Sequence, residues 1–152
     1  MEMMFMDTDS IIEYEFSMPI SELIEKSGED YFRKVESSVI GRLEDMSDIV
    51  ASLGGGAVLS EKNRQIIKEN AYCVWLKAKP LTIYDRLKAD ENVRPLLQPL
   101  SIKKISAMLK KREGLYRETA DIEISTDGLT IEKTAEKVAE LLSELVEQQE
   151  NR

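Results

Sequence analysis

Strands that alternate with helices along 152 residues predict a single three-layer α/β/α domain with a mainly parallel sheet. Three observations carry that expectation. Short apolar runs at 3–6 (MMFM), 48–53 (DIVASL) and 72–78 (YCVWLKA) lack polar alternation, as strands covered on both faces do. Amphipathic helical patterns lie between them. No repeat or low-complexity tract interrupts the series.

The first run ends on Asp7 and Asp9, which sets two carboxylates at the C-terminal end of a strand, where open α/β sheets bind ligands. Such a pair can orient a hydroxyl or hold a magnesium–water shell; either aspartate can equally cap the next helix. Pro19 and Gly28 bound a helix over 19–27. A second helix, about 29–46, spaces Phe32, Val35, Val39, Ile40 and Leu43 on one face. Arg33, beside Phe32, carries a fork suited to a carboxylate.

The second strand runs into Gly54, Gly55 and Gly56, which let backbone amides approach a ligand with no Cβ in the way. A tight strand-to-helix turn makes the same demand. The triplet is not a phosphate loop of the Gly-Lys-Ser/Thr kind, because Ala57 and Val58 follow it. Ser60 caps a helix over 61–69. The third strand, 72–78, holds Cys73 and Trp75 as core residues, and Pro80 opens a helix over 80–89.

Residues 90–100 (DENVRPLLQPL) contain two prolines and no period, so a lid over about 90–104 is expected. A helix over about 101–113 follows, then Arg117, then a fourth strand at 121–124 (DIEI). The last helix, about 130–147, carries Ile131, Ala135, Val138, Leu142 and Leu145 as a buried stripe.

Composition narrows the chemistry. Histidine is absent, which excludes a Ser-His-Asp hydrolase and a His-built zinc site. One cysteine allows no internal disulfide, no apolar run reaches the roughly 20 residues of a membrane span, and the N-terminus lacks the basic start of a secretory signal. The expected compartment is therefore the cytoplasm. The net charge of −8 hides an asymmetry: residues 86–117 carry nine basic side chains against three acidic ones, +6 locally and −14 elsewhere. A basic stretch in an acidic protein attracts a focused anion, or forms a solvated lysine-rich helix. Nucleic acid is not expected, since Tyr116 alone in that stretch could stack on a base.

Taken together, FMDTD (5–9), Gly28–Glu29, FRKVE (32–36), SLGGGAV (52–58), Asn63–Arg64, VWL (74–76), RPLL (94–97), LYR (115–117) and Ala120–Asp121 resemble the shikimate kinase family from Phe5 to about Leu145. The resemblance implies ATP- and Mg2+-dependent phosphorylation of the shikimate 3-hydroxyl in chorismate biosynthesis. It gives Asp9 the ring hydroxyls and activation of the attacking one. Arg33 and Arg117 would hold the carboxylate, and Gly55, within Gly54–Gly56, would offer a backbone N–H. Asp7 would act on Mg2+ through water, Arg94 would reach the phosphoryl group from the lid, and Arg86 would lie near adenine.

One part of the family pattern is missing from these residues. The family opens with a strand, a Gly-x-x-x-x-Gly-Lys-Ser/Thr loop and a helix; here Met1–Met4 alone precede Phe5, and no Gly-Lys pair occurs. The chain by itself is thus expected to hold ATP negligibly and not to turn over. In the family the absent strand is central, between those matching 48–53 and 72–78. Its loss leaves two inner edges open, and the chain is expected to be a monomer unless another chain fills the gap. The alternative expectation is a degenerate homologue that binds shikimate or a partner protein without transferring phosphate.

Overall fold

Asp7 ends the first strand and starts the first helix, and this junction organises the N-terminal half. The computed structural model describes residues 3–90 and 97–150. They form two compact units, Met1–Ala71 and Tyr72–Arg152.

In the first unit, β1 (Met4–Asp7) pairs in parallel with β2 (Ile49–Ser52), in a register that sets Met4 opposite Ile49 and Asp7 opposite Ser52. The helix α1 (Thr8–Phe16) starts on the strand without a linker. No helix is expected there from the residues alone, because its nine residues are sparse in apolar positions and the strand signal runs into them. Ile11, Ile12 and Phe16 nevertheless fall on one helical face. Ser17 then closes the helix in the left-handed region (φ 51°). The helix expected over 19–27 is α2 (Ile20–Ser27), halted at Gly28 with φ 85°, a conformation glycine adopts without strain. The helix expected over 29–46 is shorter: α3 (Glu29–Gly41) tightens at Gly41 into a 3-10 turn over Arg42–Asp45. The core here is Ile12, Leu23, Phe32 and Val39, with Ile11, Phe16, Ile24 and Val35 packed on it. A 3-10 turn (Ala57–Leu59) and α4 (Glu61–Asn70), capped by Ser60 accepting from the Asn63 N–H at 3.3 Å, complete the unit.

In the second unit, β3 (Val74–Lys77) pairs in parallel with β4 (Ile122–Ser125). Between them lie α5 (Pro80–Ala89) and α6 (Ile102–Thr119); α7 (Ile131–Glu150) follows β4 and packs on it. The expected end of α6 at 113 is overturned. The helix runs through Gly114 to Thr119, and Tyr116 stacks on Trp75 with ring centroids 5.3 Å apart, which holds the added turns in place.

Three burial expectations also fail. Phe5 and Val50, cross-strand partners, are 68% and 51% exposed, so one face of the β1–β2 pair is open rather than covered. On α7, Ile131 is 86% exposed and Ala135 is exposed, while Val138, Leu142 and Leu145 are half-buried; the stripe is only partly covered. Cys73 and Trp75 are half-buried, not core. Among the described residues, β2 and β3 are each paired along one edge only.

Candidate active site

The parallel register brings the ends of β1 and β2 level, so the carboxylates after β1 and the glycines after β2 meet at one corner of the first unit. Asp7 accepts a hydrogen bond from the Ser10 N–H at 2.8 Å and is the N-cap of α1. Partial burial pushes its pKa up, but the Ser10 N–H and the Ser52 hydroxyl outweigh this and hold it below the ordinary value. Of the two aspartates open to the capping role, Asp7 takes it. Asp9, in the first turn of α1, reaches across to the glycine turn. A Cβ at Gly54 would stand 3.1 Å from Asp9 Oδ1 and 2.8 Å from Glu36 Oε1. Gly54 is therefore the point where the aspartate of α1 and a glutamate of α3 close on bare backbone.

Arg33 stands on the other side of the same turn. Its Nη1 donates to Glu36 Oε2 at 2.8 Å and its Nη2 to Glu29 Oε1 at 3.2 Å. A Cβ at Gly56 would collide with the guanidinium, so the cation lies against the glycine ridge. Burial lowers the arginine's pKa, but Glu36 and Glu29 more than reverse it, so the charge is secure. The guanidinium also sits 5.1 Å from the centroid of the Phe32 ring.

Glu36 is 1% exposed and was assigned no role from the sequence. A signal was present. Position 36 lies four residues after Phe32 and four before Ile40, on the apolar stripe of α3, and a carboxylate on such a stripe asks for a buried partner.

The turn itself is held from behind. Asn63 Nδ2 donates to the Ala57 carbonyl at 3.0 Å and Arg64 Nη1 to the Val58 carbonyl at 2.8 Å. Gly54 and Gly56 carbonyls accept from Ala57 and Leu59 N–H groups at 2.9 and 3.0 Å. Gly55 lies exposed between them. A cavity of about 250 Å³ is lined by Arg33, Glu36, Ser37, Gly56, Ser60 and Asn63.

The remaining candidates belong to the second unit or fall outside the described residues. Arg86 donates through Nη1 to Thr126 Oγ1 and through Nη2 to the Thr126 carbonyl, both at 2.9 Å. Thr126 in turn donates to the Lys77 carbonyl at 2.9 Å, so Arg86 braces the loop after β4. Arg117, in the last turn of α6, pairs with Glu113 at 3.0 Å and Glu123 at 3.3 Å and is exposed. Those carboxylates raise its pKa, the Glu113 bond foremost. Its guanidinium lies 6.0 Å from the Trp75 ring. Arg94 lies outside the described residues, as do 91–96 of the expected lid, whose last residues, 102–104, form the first turn of α6. The structure thus brings together Asp9, Arg33, Gly54 and Gly56, with Glu36 added and Asp7 at the cap. Among the described residues no group of three acidic or thiol side chains is placed to hold a metal ion.

Comparison with known proteins follows this geometry. The family model for shikimate kinase matches residues 1–143. A shikimate kinase of Moorella thermoacetica is 39% identical over 124 residues, 82% of this chain and 70% of the relative. One of Caldicellulosiruptor bescii is 40% identical over 131 residues, 86% of this chain and 75% of the relative. Among solved structures, shikimate kinase from Acinetobacter baumannii in complex with shikimate superposes with a TM-score of 0.88 at 33% identity, covering 93% of this chain and 79% of that one. Shikimate kinase from Bacteroides thetaiotaomicron gives 0.80 at 28% identity, covering 95% and 84%.

Proposed function

The chain belongs to the shikimate kinase family, and from that premise we propose that its first unit carries the face that receives shikimate, with Arg33 on the carboxylate and Asp9 on the ring hydroxyls. Shikimate kinase-like phosphoryl transfer is the activity the relatives and the fold support. The observation that carries the residue assignment is the glycine ridge, flanked by a secured cation at Gly56 and a carboxylate at Gly54. A small ring acid with a carboxylate at one end and hydroxyls at the other fits that polarity. Gly55, exposed within the turn, would offer its backbone N–H between the two charges, the Gly54 N–H being held by Thr8. Asp9 would accept the proton of the attacking hydroxyl, a step that needs a carboxylate within hydrogen-bond reach.

The other roles follow the family. The family resemblance gives a carboxylate fork to Arg117 also, which pairs here with Glu113 and Glu123. Arg94 would meet the transferred phosphoryl group, where positive charge stabilises the transition state. ATP would supply that group and Mg2+ would neutralise its oxygens.

The fit to these two is unequal. Asp7, held ionised at the cap, suits contact with Mg2+ through water. For ATP, the 152 residues contain no Gly-Lys phosphate loop, and Arg86 is engaged by Thr126. The phosphate-cradling part of the donor side is therefore not furnished by these residues. No described helix is long and apolar enough to cross a membrane. As the family resemblance implies, the chain would act in the cytoplasm on a small molecule, as a monomer.

Titration calorimetry with shikimate, then with Mg-ATP, tests the reading. Arg33→Lys is the control, since it keeps the buried charge and removes the fork. Shikimate binding that Arg33→Lys abolishes supports the assignment; binding untouched by the substitution removes Arg33 from the site. A degenerate homologue would share the shikimate response, and only turnover in the presence of the family's phosphate loop would distinguish it.

A further inference from the structure

We infer that Thr8 is a positioning residue for the substrate-binding corner, its hydroxyl coupling the helix that carries Asp9 to the glycine turn that faces it; this rests on the reading of the site given above. Thr8 is wholly buried and lies between Asp7, the cap of α1, and Asp9. Its Oγ1–H donates to the Ser52 carbonyl at 3.3 Å, and Oγ1 accepts from the Gly54 N–H at 3.3 Å. One hydroxyl thus uses both its donor and its acceptor across 44 and 46 residues of chain, at the last residue of β2 and the first glycine of the turn.

The placement gives that hydroxyl a role beyond filling space. Asp9 approaches the turn at Gly54, the residue whose N–H the Thr8 hydroxyl receives. Movement of the first turn of α1 away from β2 would move Asp9 relative to Gly54 by a similar amount, and small displacements of reacting groups cost much in a site built on proximity. Both hydrogen bonds are long for their kind. Bonds of this sort tighten when a ligand completes the site, so the coupling predicts a shorter, better protected Gly54 N–H when shikimate is bound. A serine could make both bonds; a valine matches the shape and makes neither.

The test compares shikimate affinity and thermal midpoint for the full 152-residue chain, Thr8→Ser and Thr8→Val. Expected is a loss of roughly ten-fold or more in affinity for Thr8→Val, the size of one directional hydrogen-bond pair, with Thr8→Ser within about three-fold of the parent. A lowered midpoint with unchanged affinity in Thr8→Val makes the threonine purely structural and overturns the inference. If the parent itself does not bind shikimate, the assignment of the site falls, and the inference with it. Amide exchange of Gly54 in the parent, with and without shikimate, decides the matter should Thr8→Val not fold: slowing on ligand addition supports the coupling, and no change refutes it.

Discussion

Arg33 Nη1 donates to Glu36 Oε2 at 2.8 Å, and the glutamate is 1% exposed. A buried ion pair contributes little net stability when intact, yet removing one partner leaves a charge without water and costs about 3–5 kcal/mol. Glu36→Ala is expected to cost less than that, about 1–3 kcal/mol, because Arg33 is 22% exposed and keeps its bond to Glu29. Glu36→Gln should lose less, since its amide oxygen still accepts from Arg33. Chemical denaturation of the three proteins checks this. Equal stability of Glu36→Ala and the parent would mean that the pair is solvated in solution.

Gly54 and Gly56 should separate binding from folding. A Cβ at either position meets the far ends of charged side chains, Glu36 and Asp9 at Gly54 and Arg33 at Gly56, rather than backbone. Those side chains can shift, so Gly56→Ala is expected to fold, with a thermal midpoint lowered to the extent that Arg33 draws away from the buried Glu36. The guanidinium would no longer rest on the ridge, and shikimate affinity should fall by roughly ten-fold or more, the scale of a lost charge-assisted bond. Retained affinity in Gly56→Ala would place the carboxylate-binding cation elsewhere.

These residues also show how far the sequence was legible. The four strands fall within one or two residues of the apolar runs, and Ser60, Pro80 and Gly28 mark helix boundaries as expected. Local chemistry decides such features, so local reading finds them. What escaped depends on partners distant in the chain. Glu36 stands in FRKVE without a visible role until β2 brings Gly54 against it, and Thr8 is an unremarked middle residue of DTD until Ser52 and Gly54 reach its hydroxyl. The expected helix over about 101–113 stopped short, because Tyr116 stacking on Trp75, which no local pattern shows, accompanies the continuation of α6 to Thr119. Arg86 and Arg117 were visible as cations, whereas their engagement by Thr126, and by Glu113 and Glu123, was not.

The cap at Asp7 predicts a pH signature. Its folded-state pKa lies below the ordinary 3.8, so the carboxylate contributes stability that is present above pH 3.8 and lost as pH falls through the lower folded value. Asp7→Ala should cost about 0.5–2 kcal/mol at pH 7, the usual worth of an N-cap. The difference should shrink below pH 3.8 as the parent's carboxyl protonates. Denaturant midpoints of both proteins between pH 7 and pH 3 test it. A gap that stays constant across that range would show that the capping hydrogen bond does not depend on charge.

Arg117 tests the carboxylate role that the family resemblance gives it. It is exposed and shares its charge between Glu113 and Glu123, and exposed pairs of this kind do little for stability. Arg117→Ala should therefore leave the thermal midpoint almost unchanged. Shikimate affinity that falls markedly with the same substitution supports the role the family gives Arg117; unchanged affinity removes Arg117 from the site.

The last prediction concerns turnover. Phosphoryl transfer is mostly positioning and electrostatic stabilisation of the moving group. Removing one preorganised donor from such a site costs on the order of 10²–10³ in rate, and a Gly-Lys phosphate loop supplies several at once. These 152 residues hold no Gly-Lys pair, and the arginine expected near adenine is turned onto Thr126. The chain alone is thus expected to bind shikimate, give no calorimetric response to Mg-ATP and produce no shikimate phosphate above the uncatalysed background in a coupled assay. Turnover at an ordinary kinase rate by the pure polypeptide would require a phosphate-binding site built from residues other than those named here, and Arg94 would be the first to substitute in searching for it.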